Sequence, residues 1–410
     1  MRRFVLLSCV ALAATACDRK PLPKAGDLQG EVTALLPKVE EAAGLRFSQP
    51  PKVASQTQEQ VRKFLIDQFA RPAVRTDLDA KIRIWKRLGV VPDSVDVIGL
   101  LTRLLTEQVV GFYDPKSKTL YVVEGRAGVE RETVIRHELT HALQDQYVNL
   151  DSIQNVQGED DRVEAAQAVF EGHATVLMIG NAARTIAWDK ARESIREARA
   201  ANPVFGAAPG FLAEGLLFPY IGGAEFVRTA MGDGVTSAQL LSELPQSTSQ
   251  VLHREKYGPR GNPADVVRIA KTPGLVIEYE NSFGEFETRL ALAELLGDVQ
   301  MASAAARGHD GDRLVLLGGL SGDGLGWVSV WDTPADAEEF AEIAARAFAK
   351  RYASTGKVGG GRLREVIGQG RRVTVRTDKS GTRDIVIIED LPSGAASPAI
   401  PASAVSITVR

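Results

Sequence analysis

The chain has 410 residues, room for two or three domains, with 44% hydrophobic and 25% charged residues. That balance excludes a disordered or fibrous protein. Lysine and arginine number 49 against 52 acidic residues, a net charge of −3, which excludes a strongly basic nucleic-acid binder and any polybasic membrane patch. The 2 cysteines, Cys9 and Cys17, both fall at the N-terminus, so the body of the chain has no cysteine for a disulfide, a metal or a nucleophile.

The first residues read as a targeting segment. Arg2 and Arg3 precede an apolar run from Phe4 to Ala16 that is too short for a stable membrane span. Ala14-Thr15-Ala16-Cys17 resembles a bacterial lipoprotein signal, which implies residues 1–17 as signal peptide and Cys17 as the lipidated residue. The expected location is the bacterial cell envelope, lipid-anchored to a membrane; an ordinary secretory signal, giving a secreted or periplasmic protein, is the alternative. Residues 18–28 suit a tether.

From there the hydrophobic period is helical. Glu31–Ala43, Gln58–Phe69, Leu78–Leu88 and Ser94–Leu105 carry apolar residues three and four apart. The period then switches: Val109–Tyr113 and Thr119–Val123 are β-branched and aromatic, and Asp114–Lys118 has turn composition, the pattern of a β-hairpin. Helix is expected from Glu130 to Tyr147 and from Asp161 to Trp188. The apolar stretch Gly210–Val227, interrupted by Glu214, Pro219 and Glu225, reads as a buried or cleft-lining helix. More helix follows over Ser237–Leu244 and to His253. Beyond Pro273 strands are expected at Arg313–Leu317, Trp327–Trp331, Leu363–Ile367, Arg372–Arg376 and Ile385–Ile388. One helix lies among them, from Pro334 to Tyr352, with Thr333 as N-cap. The fold class is therefore α+β. Residues 29–270 form a mostly helical catalytic part (29–108 helical, 109–260 the active-site core), 273–390 a C-terminal α+β module, and 391–410, rich in Pro, Ala and Ser, a mobile tail.

One motif carries chemistry. His137-Glu138-Leu139-Thr140-His141 is HExxH. On a helix, residues four apart project from one face, so both imidazoles can grip one Zn²⁺. Glu138 lies about 100° round from His137, placed to act on a zinc-bound water as general base and not as a ligand. The extended HExxHxxGxxH form is excluded, because Gln144 and Tyr147 stand where glycine and histidine would be. The third ligand is then a glutamate on the next helix, and Glu164 and Glu171 are seven residues apart on nearly one face. Glu171 sits among Val169, Phe170, Ala174 and Val176, where an ionised carboxylate is costly without a cation; Glu164, near Asp160, Asp161 and Arg162, has access to water. His173 cannot ligate beside Glu171 and reads as a supporting or core histidine. Gly172 would let two helices approach closely near the metal. His253 and Tyr257 are candidate donors to a developing oxyanion, and the strand Thr119–Val123 is a candidate sheet edge for an extended peptide.

The motif and its surroundings resemble the zincin metallopeptidases, specifically the Glu-zincin, thermolysin-like branch. Gly-Phe-Tyr-Asp-Pro from Gly111, His-Glu-Leu-Thr-His-Ala-Leu-Gln-Asp-Gln from His137 and Glu-Gly-His-Ala-Thr from Glu171 are also similar to a group of bacterial metallopeptidase lipoproteins. The resemblance implies His137, His141 and Glu171 as zinc ligands, Glu138 as general base, and a protein or peptide substrate. Many Glu-zincins place an aspartate four residues after the ligand glutamate to hold a ligand histidine; here that residue is Thr175, so the histidine's support is left to be found. Two other readings stay open: a zinc amidase acting on a non-peptide or cell-wall bond, and a non-catalytic envelope binding lipoprotein with a vestigial zinc. The second does not need Glu138.

Overall fold

The computed structural model describes residues 28–125, 131–180, 201–259, 261–262, 264–319, 322–354, 360–395 and 400–409, with Lys190, Glu193, Ser194 and Glu197. The signal segment 1–17, the residues around Cys17, and the expected helix beyond Gly180 lie outside the described residues, apart from those four.

The architecture is α+β. Helix α1 (Leu28–Ala43) is followed by strand β1 (Lys52–Gln56), helices α2 (Gln58–Phe69), α3 (Pro72–Leu88) and α4 (Val97–Gln108), and the hairpin β2 (Gly111–Asp114) and β3 (Thr119–Val123). Sequence reasoning reads the helices and the hairpin but misses β1, whose Lys-Val-Ala-Ser-Gln lacks a β-branched run. β1 pairs in parallel with β3, and β2 pairs with it from the other side, Gly111 opposite Val122 and Asp114 opposite Thr119. The small sheet thus has the order β1-β3-β2. β3 is its central strand and offers no free edge, contrary to the expectation for Thr119–Val123; the edge strands are β1 and β2.

Helix α5 (Arg131–Tyr147) packs on this sheet and α1, burying Ile135, Leu139 and Leu143 against Val32, Leu35 and Leu120. Asp145 pins the hairpin to the helix. It accepts from the Tyr113 hydroxyl at 2.8 Å and the Lys118 ammonium at 2.6 Å. Helix α6 (Asp160–Ile179) crosses α5 and then α7 (Gly210–Gly232), and short helices α8 (Ser237–Ser242) and α9 (Thr248–Leu252) close that side. The α6–α7 crossing is a backbone-to-backbone contact. A Cβ on Gly172 would lie 2.2 Å from the Gly223 carbonyl carbon, and one on Gly223 would lie 2.0 Å from the Ala168 oxygen. Only glycine fits on either side, as the sequence suggests for Gly172. Because the obstacle is backbone, Gly172→Ala is expected to cost about 3 kcal/mol or more in a chemical-denaturation measurement. It should also weaken metal binding, since Glu171 rides on the same turn.

The C-terminal region opens with β4 (Asp265–Ile269), β5 (Ile277–Asn281), α10 (Gly284–Leu296) and α11 (Val299–Ala306). It continues through β6 (His309–Leu317), β7 (Gly324–Trp331), α12 (Pro334–Arg351), β8 (Leu363–Gly368), β9 (Arg371–Ser380) and β10 (Arg383–Pro392), and ends with β11 (Val405–Val409). A six-stranded antiparallel sheet runs β5-β6-β7-β10-β9-β8. Its central strands are covered on both faces. Leu314 and Leu316 pack toward the helices with Phe340 and Phe348, whereas Val315 and Leu317 pack with Val267 and Val405.

Three sequence expectations are corrected here. The described residues between 391 and 409 are not a tail: β11 pairs antiparallel with β4, and Ile400 is wholly buried, its amide donating to Glu389 at 2.6 Å. The alternation Val405-x-Ile407-x-Val409 is a strand signal that the Pro-Ala-Ser composition masks. The boundary near residue 270 also shifts, because β4 belongs to this C-terminal cover and not to the helical part before it. Nor are the two parts separate modules. One core joins Leu65, Leu78, Ile84 and Leu101 of the N-terminal helices to Leu314, Trp327 and Phe340, and Arg83 reaches Glu278 at 2.9 Å.

Candidate metal centre

Every residue of α5 from His137 to Asp145 is buried, including two histidines and a glutamate that are 0% exposed. Buried polar groups are costly unless paired or bound to a cation, so this stretch needs a chemical reason. Its partner is Glu171 on α6. Glu171 Oε2 lies 3.1 Å from His137 Nε2 and 3.3 Å from His141 Nε2, and the two Nε2 atoms are 3.1 Å apart. Among the described residues, His137, His141 and Glu171 form the group of three side chains able to share one metal ion. A tetrahedral zinc with bonds near 2.0–2.1 Å has ligand atoms separated by about 3.3 Å, so three sides of that tetrahedron are already laid out. Glu164 is not part of the group.

The hydrogen bonds fix the histidine tautomer. Gln144 Nε2 is 2.9 Å from the Phe170 carbonyl oxygen, which can only accept, so the other end of that amide is the oxygen. Gln144 Oε1 lies 2.9 Å from His141 Nδ1, which therefore carries a proton and donates it. In its neutral form, the one that can bind a metal, His141 therefore carries its lone pair on Nε2, pointing at the centre. Gln144 Nε2 also sits 3.2 Å from His173 Nδ1, and His173 Nε2 is 2.9 Å from the Ser237 hydroxyl. His173 is thus one step behind the centre, and burial, with the neighbouring His141, lowers its pKa to about 4 and keeps it neutral.

Gln144 is the histidine support that the sequence left open. It comes from α5 itself, three residues after His141 on the same face, and not from position 175. Thr175 Oγ1 is buried with no hydrogen-bond partner among the described residues, as is His137 Nδ1. Sequence reasoning uses Gln144 only to exclude a glycine motif; its i+3 spacing from His141 is the signal that could have identified it. Gln144→Ala is expected to lower zinc affinity by roughly 10–100-fold, as loss of a partner behind a ligand does, in a competition titration with a chromophoric chelator.

The charges agree with a cation site. Burial alone would raise the Glu171 pKa, yet the charge of His141 and hydrogen bonds from both histidines hold it down to about 2. Burial alone would lower that of His141, yet the Glu171 carboxylate brings it up to about 9. Burial dominates at His137 and lowers it. Glu138 adds to the negative potential on His141. It packs under β2, where a Cβ on Gly111 would come within 3.4 Å of Glu138 Cγ and 2.6 Å of Val134. Glycine at 111 leaves room for that carboxylate beneath the sheet.

Glu171 opens onto a cavity of about 250 Å³ between α3, α4, α6 and α7. Tyr220 of α7 also lines it, and its ring lies parallel to that of His137 with centroids 6.3 Å apart. Helix α7 is thus the cleft-lining helix expected for Gly210–Val227, although Tyr220 itself was not singled out. The two residues proposed from sequence for an oxyanion are used elsewhere. His253 caps α9 and bonds Glu285 of α10 at 2.6 Å. The Tyr257 hydroxyl donates to the Glu243 carbonyl at 2.7 Å, and its ring meets the edge of Phe226. Neither lines the cavity beside Glu171. Following the helices in sequence did not put them on the face that holds the metal ligands. Glu164 does line it, half-buried, and burial with the charge of Glu287 pushes its carboxyl above the usual range.

Residues 275–397 match a family described as a domain of unknown function, DUF8575. The match begins close to the expected start of the C-terminal module and excludes the metal centre. Comparison with curated proteins and with solved structures gives no match.

Proposed function

We propose that this chain is a zinc-dependent metallopeptidase acting on protein or peptide substrates. The observation that carries the reading is the convergence of His137 Nε2, His141 Nε2 and Glu171 Oε2 within 3.3 Å of one another in a buried site, with Glu138 on the adjoining face of the same helix. Zinc bound there would supply Lewis acidity toward a carbonyl and lower the pKa of a water toward about 7. The chain's own residues do the rest. Glu138 takes a proton from the attacking water and returns one to the departing amine. Gln144 holds His141 with its Nε2 inward. Tyr220, which lines the cavity with its ring parallel to that of His137, is a better-placed candidate than His253 or Tyr257 to donate to the oxyanion. Burial of the whole group strengthens each of these interactions.

The test is hydrolysis of a mixed peptide library by the purified protein, abolished by a chelator and restored by zinc but not by magnesium. Hydrolysis unaffected by chelation would contradict the reading.

The same reading places the enzyme at the envelope through a lipid on Cys17. None of the described helices is long and apolar enough to cross a membrane. Cys17→Ser is expected to move the protein from the membrane to the soluble fraction while zinc binding persists; retention in salt-washed membranes would count against lipidation.

A further inference from the structure

The support behind His141 does not end at Gln144. A carboxamide has two orientations of nearly equal shape, and the Phe170 carbonyl, 2.9 Å from Gln144 Nε2, fixes which one is present. That nitrogen has a second hydrogen, and His173 Nδ1, 3.2 Å away, is its acceptor. A neutral imidazole that accepts at Nδ1 carries its proton on Nε2, so His173 donates to the Ser237 hydroxyl oxygen at 2.9 Å. His141, Gln144, His173 and Ser237 thus form one chain, in which each group donates to the next one further from the centre. Three helices contribute: His141 and Gln144 come from α5, His173 from α6, and Ser237 is the first residue of α8. None of the four is more than 2% exposed.

The common direction matters to the ligand. Hydrogen bonds that run one way polarise one another, and do so most in a low-dielectric interior. A stronger acceptor behind Nδ1–H makes an imidazole a better ligand at Nε2. His173 lies about 200° round α6 from Glu171, turned away from the shared ligand position, so its effect on the centre passes through Gln144. His137 has no such chain, its Nδ1 being buried without a hydrogen-bond partner among the described residues. The outer support of the centre therefore falls on His141.

We infer that His173 and Ser237 are positioning residues of the metal centre: through the Gln144 amide they hold His141 in its ligating form and strengthen its bond to the ion, an assignment that rests on the metal-binding part of the proposed function and not on the substrate.

A double-mutant cycle on the full-length protein tests this, read as zinc affinity in competition with a chromophoric chelator. His173→Leu is expected to weaken zinc binding by about tenfold in the wild-type background, but by less than about twofold in Gln144→Ala, where the chain is already cut. His173→Asn, whose amide oxygen can accept where Nδ1 did, should stay within about threefold of the wild type. Ser237→Ala should cost about threefold, and that loss too should vanish in Gln144→Ala. Nitrogen-15 spectra of the histidine-labelled, zinc-free protein give a second readout, with His173 protonated on Nε2 and bare at Nδ1. No loss from His173→Leu, or the same loss in both backgrounds, would make His173 an ordinary core residue, and a proton on its Nδ1 would break the chain. Any of these overturns the inference while zinc binding by the wild type stands. A wild type that takes up no zinc would overturn the metal reading itself, and this inference with it.

Discussion

Glu138→Gln is expected to lower peptide hydrolysis by about 10³-fold while the protein still binds about one zinc per chain. Residue 138 lies a quarter-turn round α5 from His137, and the three convergent ligand atoms come from His137, His141 and Glu171 without it. Glutamine keeps the shape of the side chain, so the fit beneath Gly111 and Val134 is preserved. What disappears is the carboxylate that accepts a proton. Activity is therefore lost in kcat, with substrate affinity little altered, and metal analysis returns the wild-type value. Loss of zinc in this variant would make Glu138 a ligand; turnover near that of the wild type would remove its role as base.

Glu171→Ala is expected to reduce zinc affinity by more than the roughly 10–100-fold that follows loss of an outer partner, because it removes one of three ligands. Its carboxylate sits 3.1 and 3.3 Å from the two imidazoles and is 3% exposed, so water cannot readily replace it. Glu164→Ala, two helical turns away and outside the ligand group, should leave zinc in place. The comparison is measured as zinc retained after gel filtration against a chelator of known affinity. Retention by Glu171→Ala together with loss from Glu164→Ala would reverse the assignment.

The grouping of His137, His141 and Glu171 was the most legible part of the sequence, because its geometry is local. His137 and His141 need only a helix to converge, and Glu171 is marked by the cost of a carboxylate in an apolar run. Gly172 was legible for the same reason, as a residue with no side chain where two helices meet a buried site. Groups that depend on long-range packing were not. Tyr220 reaches His137 only because α7 crosses α6 at Gly172 and Gly223, a contact that no spacing encodes. His253 and Tyr257 followed the right helices but face Glu285 and Glu243. β1 went unread because Ala54 and Ser55 dilute it, whereas Val266, Val267 and Ile269 of β4 are a β-branched signal that sequence reasoning passed over; each strand is completed by its partner, β3 or β11. Composition misled at 391–410, where an alternating pentapeptide outweighs its Pro-rich lead.

The most direct measurement is the metal content of the full-length protein, purified without added metal, by mass spectrometry alongside His137→Ala/His141→Ala. The account predicts about one zinc per chain in the wild type, none in the double variant, and peptide hydrolysis that follows the zinc. Wild-type protein that neither carries zinc nor takes it up on reconstitution, or a double variant that retains it, would contradict the assignment of His137, His141 and Glu171 as a metal centre.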